Sequence, residues 1–565
     1  MSVRSIVIHG HFYQPPREDP WLNQVAAEPS AAPYHDWNER IERESYRAVV
    51  AARLYAPDGR IAQIVNTLAS ISFNFGATLL EWLEREAPAT YAAVLEADGA
   101  SRARHAGHGN AIAMPYHHVI MPLASRRDKI TEVRWGIADF RRRFGRDPEG
   151  MWLPETAVDP DTLDVLAAEG ITFTILAPHQ VEQAPADGSA GRYRTPGGRS
   201  IALFVYDGPI SHDVAFGPLL KDAAAWAERL LAPGKRGESE RRLVAVATDG
   251  ETYGHHHKFG EVALAWVLRE LERRRGVRVE NFAAFLARHR PEQDVKLVAP
   301  TSWSCVHGVE RWRADCGCRM APERPTQQRW RAPLREALDW LAGELHARFE
   351  REGGELFDDP WAARDAYGTV AGDRTAEGRG RELLELERNA LRMFTSCGWF
   401  FDDIAGIETV QILRYAARAI ELAGADAPRL EAGVLERLAR AQSNEPGEGS
   451  GRDVYLHHVK RRVPVESVSR AEAHTGDPGG DAARDLLRAV LALEHDHSAR
   501  AIAAVTELAD RAQRDGGHIP FDAQTAFYRI RAASPPERAA RLAAVAWRLG
   551  FADGEGEGAR KGGGD

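Results

Sequence analysis

The chain is poor in the features that would assign it quickly. Four cysteines in 565 residues cannot staple a disulfide scaffold, and a reducing cytoplasm is the expected location. No apolar run is long enough to cross a bilayer. The N-terminal MSVRSIVIHGHF passes directly into a β-branched strand without a hydrophobic leader or a small-residue cleavage site, so no secretory signal is expected. Positive charge is in deficit: 73 Lys and Arg face 82 Asp and Glu, a net charge of −9. The arginines are interspersed with acids along helical segments, which excludes nucleic acid or an anionic membrane as the main partner. No GxGxxG follows any strand, so nothing supports dinucleotide binding, and no repeat of fixed period is present.

What is present is an alternation. Short apolar runs at 3–8, 70–75, 110–114, 151–155, 171–177, 200–206 and 242–250 are separated by helical patterns, including 39–55, 128–144 and 258–274. Seven such units predict parallel βα units, and the simplest closure is a (β/α)7 barrel over 1–295, with a doubly wound open sheet as the alternative. From about residue 320 the period becomes helical: Trp330, Leu334, Ala337, Leu338, Leu341, Leu345 and Phe349 fall on one stripe. The fold class expected is therefore α/β, a barrel followed by an α-helical bundle at 296–445. A C-terminal helical segment is expected at 446–553 and a disordered tail at 554–565.

Chemistry collects at the predicted strand ends. Strand one runs into His9-Gly-His11-Phe-Tyr-Gln14, and the third unit carries Tyr116-His117-His118. Strand four ends in Trp152-Leu-Pro-Glu155 and strand six in Asp207. Strand seven ends in Asp249-Gly-Glu251-Thr-Tyr253-Gly-His255-His256-His257. Parallel strands aim their C-termini at one face, so these groups converge on one cleft. Two chemistries could use them. Glu155 and Asp249 form a carboxylate pair suited to glycoside cleavage, which in a retaining enzyme requires a separation of about 5–5.5 Å. Alternatively His9, His11, Asp249 and His255 or His256 form a zinc site with an open position, as in metal-dependent carbohydrate deacetylases or α-mannosidases on similar barrels. A non-catalytic glycan-binding protein is the third reading. Asp207 caps the loop before Pro209 or touches substrate.

The ordered set HGHFYQPP, PYHHVIMPL, MWLPETA and ATDGETYGHH resembles glycoside hydrolase family 57. That resemblance implies a (β/α)7 barrel with a helical bundle, retaining action on α-linked glucans or oligosaccharides, and no metal or other cofactor. It implies Glu155 as nucleophile and Asp249 as acid/base, with His9 and His11 holding sugar hydroxyls. Gln14, His118, Trp152, Asp207, Tyr253 and His255 are the further substrate-binding candidates in or beside these motifs. The helical part, with TSWSCVHGVERWRADCGC and FTSCGWFFDDIAGIE, resembles a subgroup whose C-terminal region is a domain of unknown function. Trp399 and Asp402 are the candidates there for closing the cleft. Cys305, Cys316, Cys318 and Cys397, with His307, lack the C-x2–4-C pair of structural zinc; they read as buried thiols near the cleft, with a metal or redox-active cluster as the alternative.

Overall fold

The computed structural model describes residues 4–232, 242–368, 377–460, 480–514 and 518–552. Nine strands occur among them: β1 (Arg4–Phe12), β2 (Ala52–Tyr55), β3 (Ile61–Val65), β4 (Ser72–Phe75), β5 (Phe173–Leu176), β6 (Gly191–Arg194), β7 (Ser200–Val205), β8 (Leu243–Asp249) and β9 (Val277–Val279). β1 is central and pairs in parallel with β4, β8 and β9. Parallel bridges continue from β4 through Phe73–Ala111, Ala113–Met151 and Gly150–Phe173 to β5, which pairs in parallel with β7.

This is the expected α/β order, but no closed (β/α)7 barrel is seen. The third and fourth expected strands, 110–114 and 151–155, are reduced to isolated bridges at or beside those runs. The outer edge of β7 is taken by antiparallel β6, so β7 cannot form a ladder with β8. Only an isolated hydrogen bond from Asp207 N to Ala245 O, 2.7 Å, crosses that gap.

Period-two alternation nevertheless gives the strands a common inner face. Val7 of β1, Phe173 and Ile175 of β5, Ala202 and Phe204 of β7, and Leu243, Ala245 and Ala247 of β8 share one core. It is plugged by Phe282 and Phe285 of the helix Phe282–Arg288. The intervening Ile6, Ile8, Ile201, Leu203, Val244 and Val246 face the surrounding helices. Each buried aliphatic or aromatic side chain stabilises this arrangement by about 1.5–3 kcal/mol.

The helical stripe is as the spacing requires. In the helix Arg331–Gly353, Leu334, Ala337, Leu338, Leu341, Leu345 and Phe349 are buried, packed chiefly against the helices Gly378–Arg392, Ile407–Leu422 and Ala427–Leu438. The C-terminal helices bury Leu486, Val490, Val505, Ala509 and Phe527 against Ile61 and Ile64 of the β2–β3 hairpin. The tail expected at 554–565 lies outside the described residues. Among those described, no helix is long and apolar enough to cross a membrane.

Candidate active site

The inner-face phase that buries Val7 carries His9 and His11, and the phase of Leu243, Ala245 and Ala247 ends in Asp249. Register places His11 beside Asn74 of β4 on one side and Asp249 of β8 on the other. The glycine of Asp249-Gly-Glu251 is required sterically: a Cβ on Gly250 would lie 2.2 Å from the Phe12 ring.

Three imidazoles form the floor. His9 lies 3.1 Å from both Ser72 Oγ and Asn74 Oδ1, and stacks on the indole of Trp152 with centroids 4.7 Å apart. His11 stacks on the same indole at 5.3 Å, and its Nε2 is 3.3 Å from Nε2 of His118. His118 Nδ1 is 2.6 Å from Ser396 Oγ in the helical region. Burial lowers the pKa of His9 to about 3 and of His11 to about 4, and holds His118 well below its usual value. All three are neutral at neutral pH, and they place no cation next to the carboxylates.

Glu155 sits in a left-handed backbone conformation, φ 57° and ψ 18°, followed by Thr156 at φ 47°. Such positions are unfavourable for residues with a Cβ, most of all a β-branched one. Here they are held by Gln180, which donates to Thr156 O (2.8 Å) and accepts from its hydroxyl (2.9 Å). The Glu155 carboxylate accepts hydrogen bonds from Trp303 Nε1 (3.2 Å) and from the Ser304 hydroxyl. Burial raises its pKa, while Ser304, the Arg311 guanidinium and Trp303 pull it back toward the ionised form.

Asp249 has no such donors. Asp249 is exposed as a residue at the end of β8, yet burial of its carboxyl, then the charges of Glu251 and of Glu155, holds its pKa well above the usual carboxylate range. The partly exposed Tyr206, one residue beyond β7, has its own pKa raised by burial and by the Asp249 charge. Glu251 is buried beneath, accepting from Tyr13 N (3.2 Å) and the Tyr46 hydroxyl, with a pKa pushed up to about 7 by burial. Gln14 hydrogen-bonds the same Glu251 carboxylate.

The remaining sequence candidates are distributed as follows. Trp152 is fully buried as the platform under His9 and His11. Tyr253 is fully buried, its hydroxyl 3.4 Å from Thr248 Oγ1 and its ring stacked on Trp226. Trp399 is buried in the helical core and donates to Arg331 O. Asp402 accepts from Met320 N and Ala321 N, fixing a loop. His255 pairs with Glu44 and does not join His9, His11 and Asp249. Asp207 caps the helix Gly208–Ala215 through Ile210 N, 3.0 Å, and lines a cavity with Pro178, Tyr206, Ile210 and Arg229. The structure brings in residues that strand-end reasoning does not reach: Ser304, Arg311, Tyr206, Ser396 and Cys397, whose pKa is raised by burial and by the Glu155 charge. The run Thr301-Ser-Trp-Ser304, polar hydroxyls around an aromatic, was the available signal.

Residues 8–298, just over half of the chain, match the profile of glycosyl hydrolase family 57. The chain belongs to that family. Residues 327–382 and 378–475 match a domain of unknown function (DUF3536), which is the subgroup the helical motifs resemble. Curated relatives of the family 57 chain include a 4-alpha-glucanotransferase from Thermococcus litoralis and an alpha-amylase from Pyrococcus horikoshii. Each is 21% identical over 187 residues, 33% of this chain and 26% and 28% of theirs. The match thus spans about a quarter of those relatives. Among solved structures, an exo-type maltose-forming amylase from Pyrococcus sp. ST04 superposes with a TM-score of 0.60 at 16% identity, covering 81% of this chain and 88% of that one, and shares the fold.

Proposed function

We propose that this protein is a retaining enzyme acting on α-linked glucan or oligosaccharide, a hydrolase or transglycosylase, with Glu155 as nucleophile and Asp249 as acid/base. The observation that carries the reading is the asymmetry between two carboxyl groups, of which Asp249 feels the charge of Glu155. Glu155 receives two hydrogen bonds and the field of Arg311, which favour the anion. Asp249 receives none and faces two acidic neighbours, which favour the protonated acid. Environments that separate two titratable groups in this way assign the acid and the nucleophile. Family membership supports action on α-glucans in general.

In the first step Asp249 gives its proton to the glycosidic oxygen as the C1–O bond breaks and Glu155 bonds to C1. Esterification removes the Glu155 charge, which lowers the pKa of Asp249. Asp249 then takes a proton from water, or from an acceptor hydroxyl, as that oxygen attacks C1 and frees Glu155. The half-buried Trp303 offers an apolar face beside the Glu155 carboxylate for a sugar ring.

The test is a product-resolved screen on α-glucans and maltooligosaccharides, with the anomer of the first product read by NMR. Retention is expected, with turnover falling on the order of 10²–10⁴-fold in Asp249→Asn. Glu155→Gln is expected to be inactive, and a fluorinated glycosyl fluoride should label the peptide carrying Glu155. Inversion, or label on another carboxylate, sinks the assignment.

A further inference from the structure

The loop that supplies Trp303 and Ser304 continues into a cluster that the proposed reaction does not use. Cys305 Sγ is 3.9 Å from Cys316 Sγ and 3.9 Å from Cys318 Sγ, and Cys318 Sγ is 3.7 Å from His307 Nδ1. The four ligand atoms all lie within 4.8 Å of one another. We propose that Cys305, His307, Cys316 and Cys318 bind one structural Zn²⁺ as a Cys3His site.

The spacings carry the identification. Tetrahedral zinc with Zn–S of about 2.3 Å and Zn–N of about 2.0–2.1 Å demands S···S edges of roughly 3.8 Å and S···N edges of roughly 3.6 Å. Three of the six edges, 3.9, 3.9 and 3.7 Å, agree to within about 0.2 Å, and the others do not exceed 4.8 Å. A disulfide would need two sulfurs about 2.05 Å apart, and the four cysteines are free thiols. The fourth cysteine, Cys397, stands away from the cluster with its sulfur 3.8 Å from the Tyr13 hydroxyl.

The sequence pattern hides this site because each ligand pair is separated by one residue: Cys305-x-His307 and Cys316-x-Cys318. Glycines in the left-handed region turn the chain at both pairs, Gly308 at φ 83° and Gly317 at φ 77°. Backbone N–H groups of Arg311 and His307 point at the Cys305 sulfur, and that of Cys318 at the Cys316 sulfur. Such donors stabilise metal-bound thiolates.

A second observation is independent of the ligands. Arg311 and Arg331 are buried, 4% and 0% exposed, and neither has an ion-pair partner among the described residues. Their hydrogen bonds go to carbonyls: Arg331 to Cys318 O (2.8 Å) and Phe401 O (3.2 Å), Arg311 to Ser304 O (3.1 Å) and Phe400 O (3.1 Å). Arg331 Nε and Arg311 Nη2 have no partner at all. Buried unpaired guanidinium groups are costly. Binding Zn²⁺ releases three thiol protons and leaves a centre of net charge −1 beside the two arginines, adding to the charges of Glu155, felt by Arg311, and of Asp402, felt by Arg331. The centre pins the 305–318 loop, and through Arg331 it ties that loop to the start of the helix Arg331–Gly353.

The experiment is metal analysis of the full-length, untagged protein purified without chelator. About one zinc per chain is expected, retained in Cys397→Ser and lost in both Cys316→Ser and Cys318→Ser. Because those two variants can fail to fold, Co²⁺ is also exchanged into the wild-type protein. Intense thiolate-to-cobalt charge transfer with the strong visible bands of a tetrahedral site is expected. Zinc retained in both variants, iron in place of zinc, four freely titrating thiols without metal, or a weak octahedral cobalt spectrum each overturns the proposal.

Discussion

One hydrogen bond to Glu155 and one acidic neighbour of Asp249 each yield a measurable shift. Trp303 donates to the ionised form of Glu155, so its removal raises the Glu155 pKa. Trp303→Phe should therefore move the acid limb of kcat/KM to higher pH and lower kcat on the order of 10-fold, the cost of one charge-assisted hydrogen bond. Glu251 raises the Asp249 pKa through its charge. Glu251→Gln removes that charge, and the alkaline limb, which reports loss of the acid's proton, should move to lower pH; an unmoved limb would show that Asp249 does not titrate there. At this scale the sequence was readable wherever position along a strand decided direction: His9, His11, Glu155 and Asp249 follow from strand ends and phase. It was unreadable where depth decided. Trp152, Tyr253 and Trp399 are aromatic residues beside motifs, and nothing in their neighbours distinguishes a platform or a core residue from a sugar-facing one.

At the scale of elements, the helix Arg331–Gly353 meets the helix Arg126–Phe144 through charge as well as apolar packing. His346 lies between Glu387 (2.9 Å) and Asp128 (3.5 Å), and Arg364 bonds both acids. Glu387 and Asp128 raise the His346 pKa from 6.5 to about 10 against the opposing effect of burial. A value raised by folding means that the protonated form stabilises the fold. The contribution is complete below about pH 6.5 and is lost as pH rises through about 10. Thermal stability should fall across that window in the wild-type protein and fall less in His346→Ala, as followed by calorimetry. The helices were legible because 3–4 periodicity is a strong signal over many residues. Barrel closure was not, since it is β6, a four-residue strand of sequence GRYR with two arginines, that occupies the edge of β7. A strand so short and polar carries no alternation to recognise. The zinc ligands escaped for a related reason: two pairs with one intervening residue converge only because glycine turns the backbone at each.

At the scale of the molecule, the candidate site belongs to neither half of the chain. The strands supply His11, Glu155 and Asp249, while Trp303, Ser304, Ser396 and Cys397 come from beyond residue 298, where the family profile ends. A chain truncated after residue 298 should retain all the strand-end motifs and show no turnover above the Glu155→Gln background in the same product assay. Domain order was legible in the change of hydrophobic period near residue 320, whereas contacts across 278 positions of sequence, such as Ser396 with His118, leave no local trace. That contact also fixes a sequence of events in time. On the ribosome the strand-end motifs emerge first, and the hydroxyl that completes the imidazole floor emerges after them. A nascent chain therefore holds both carboxylates for a long interval without the groups that set their protonation, so the site is complete only when the residues beyond 298 have been made.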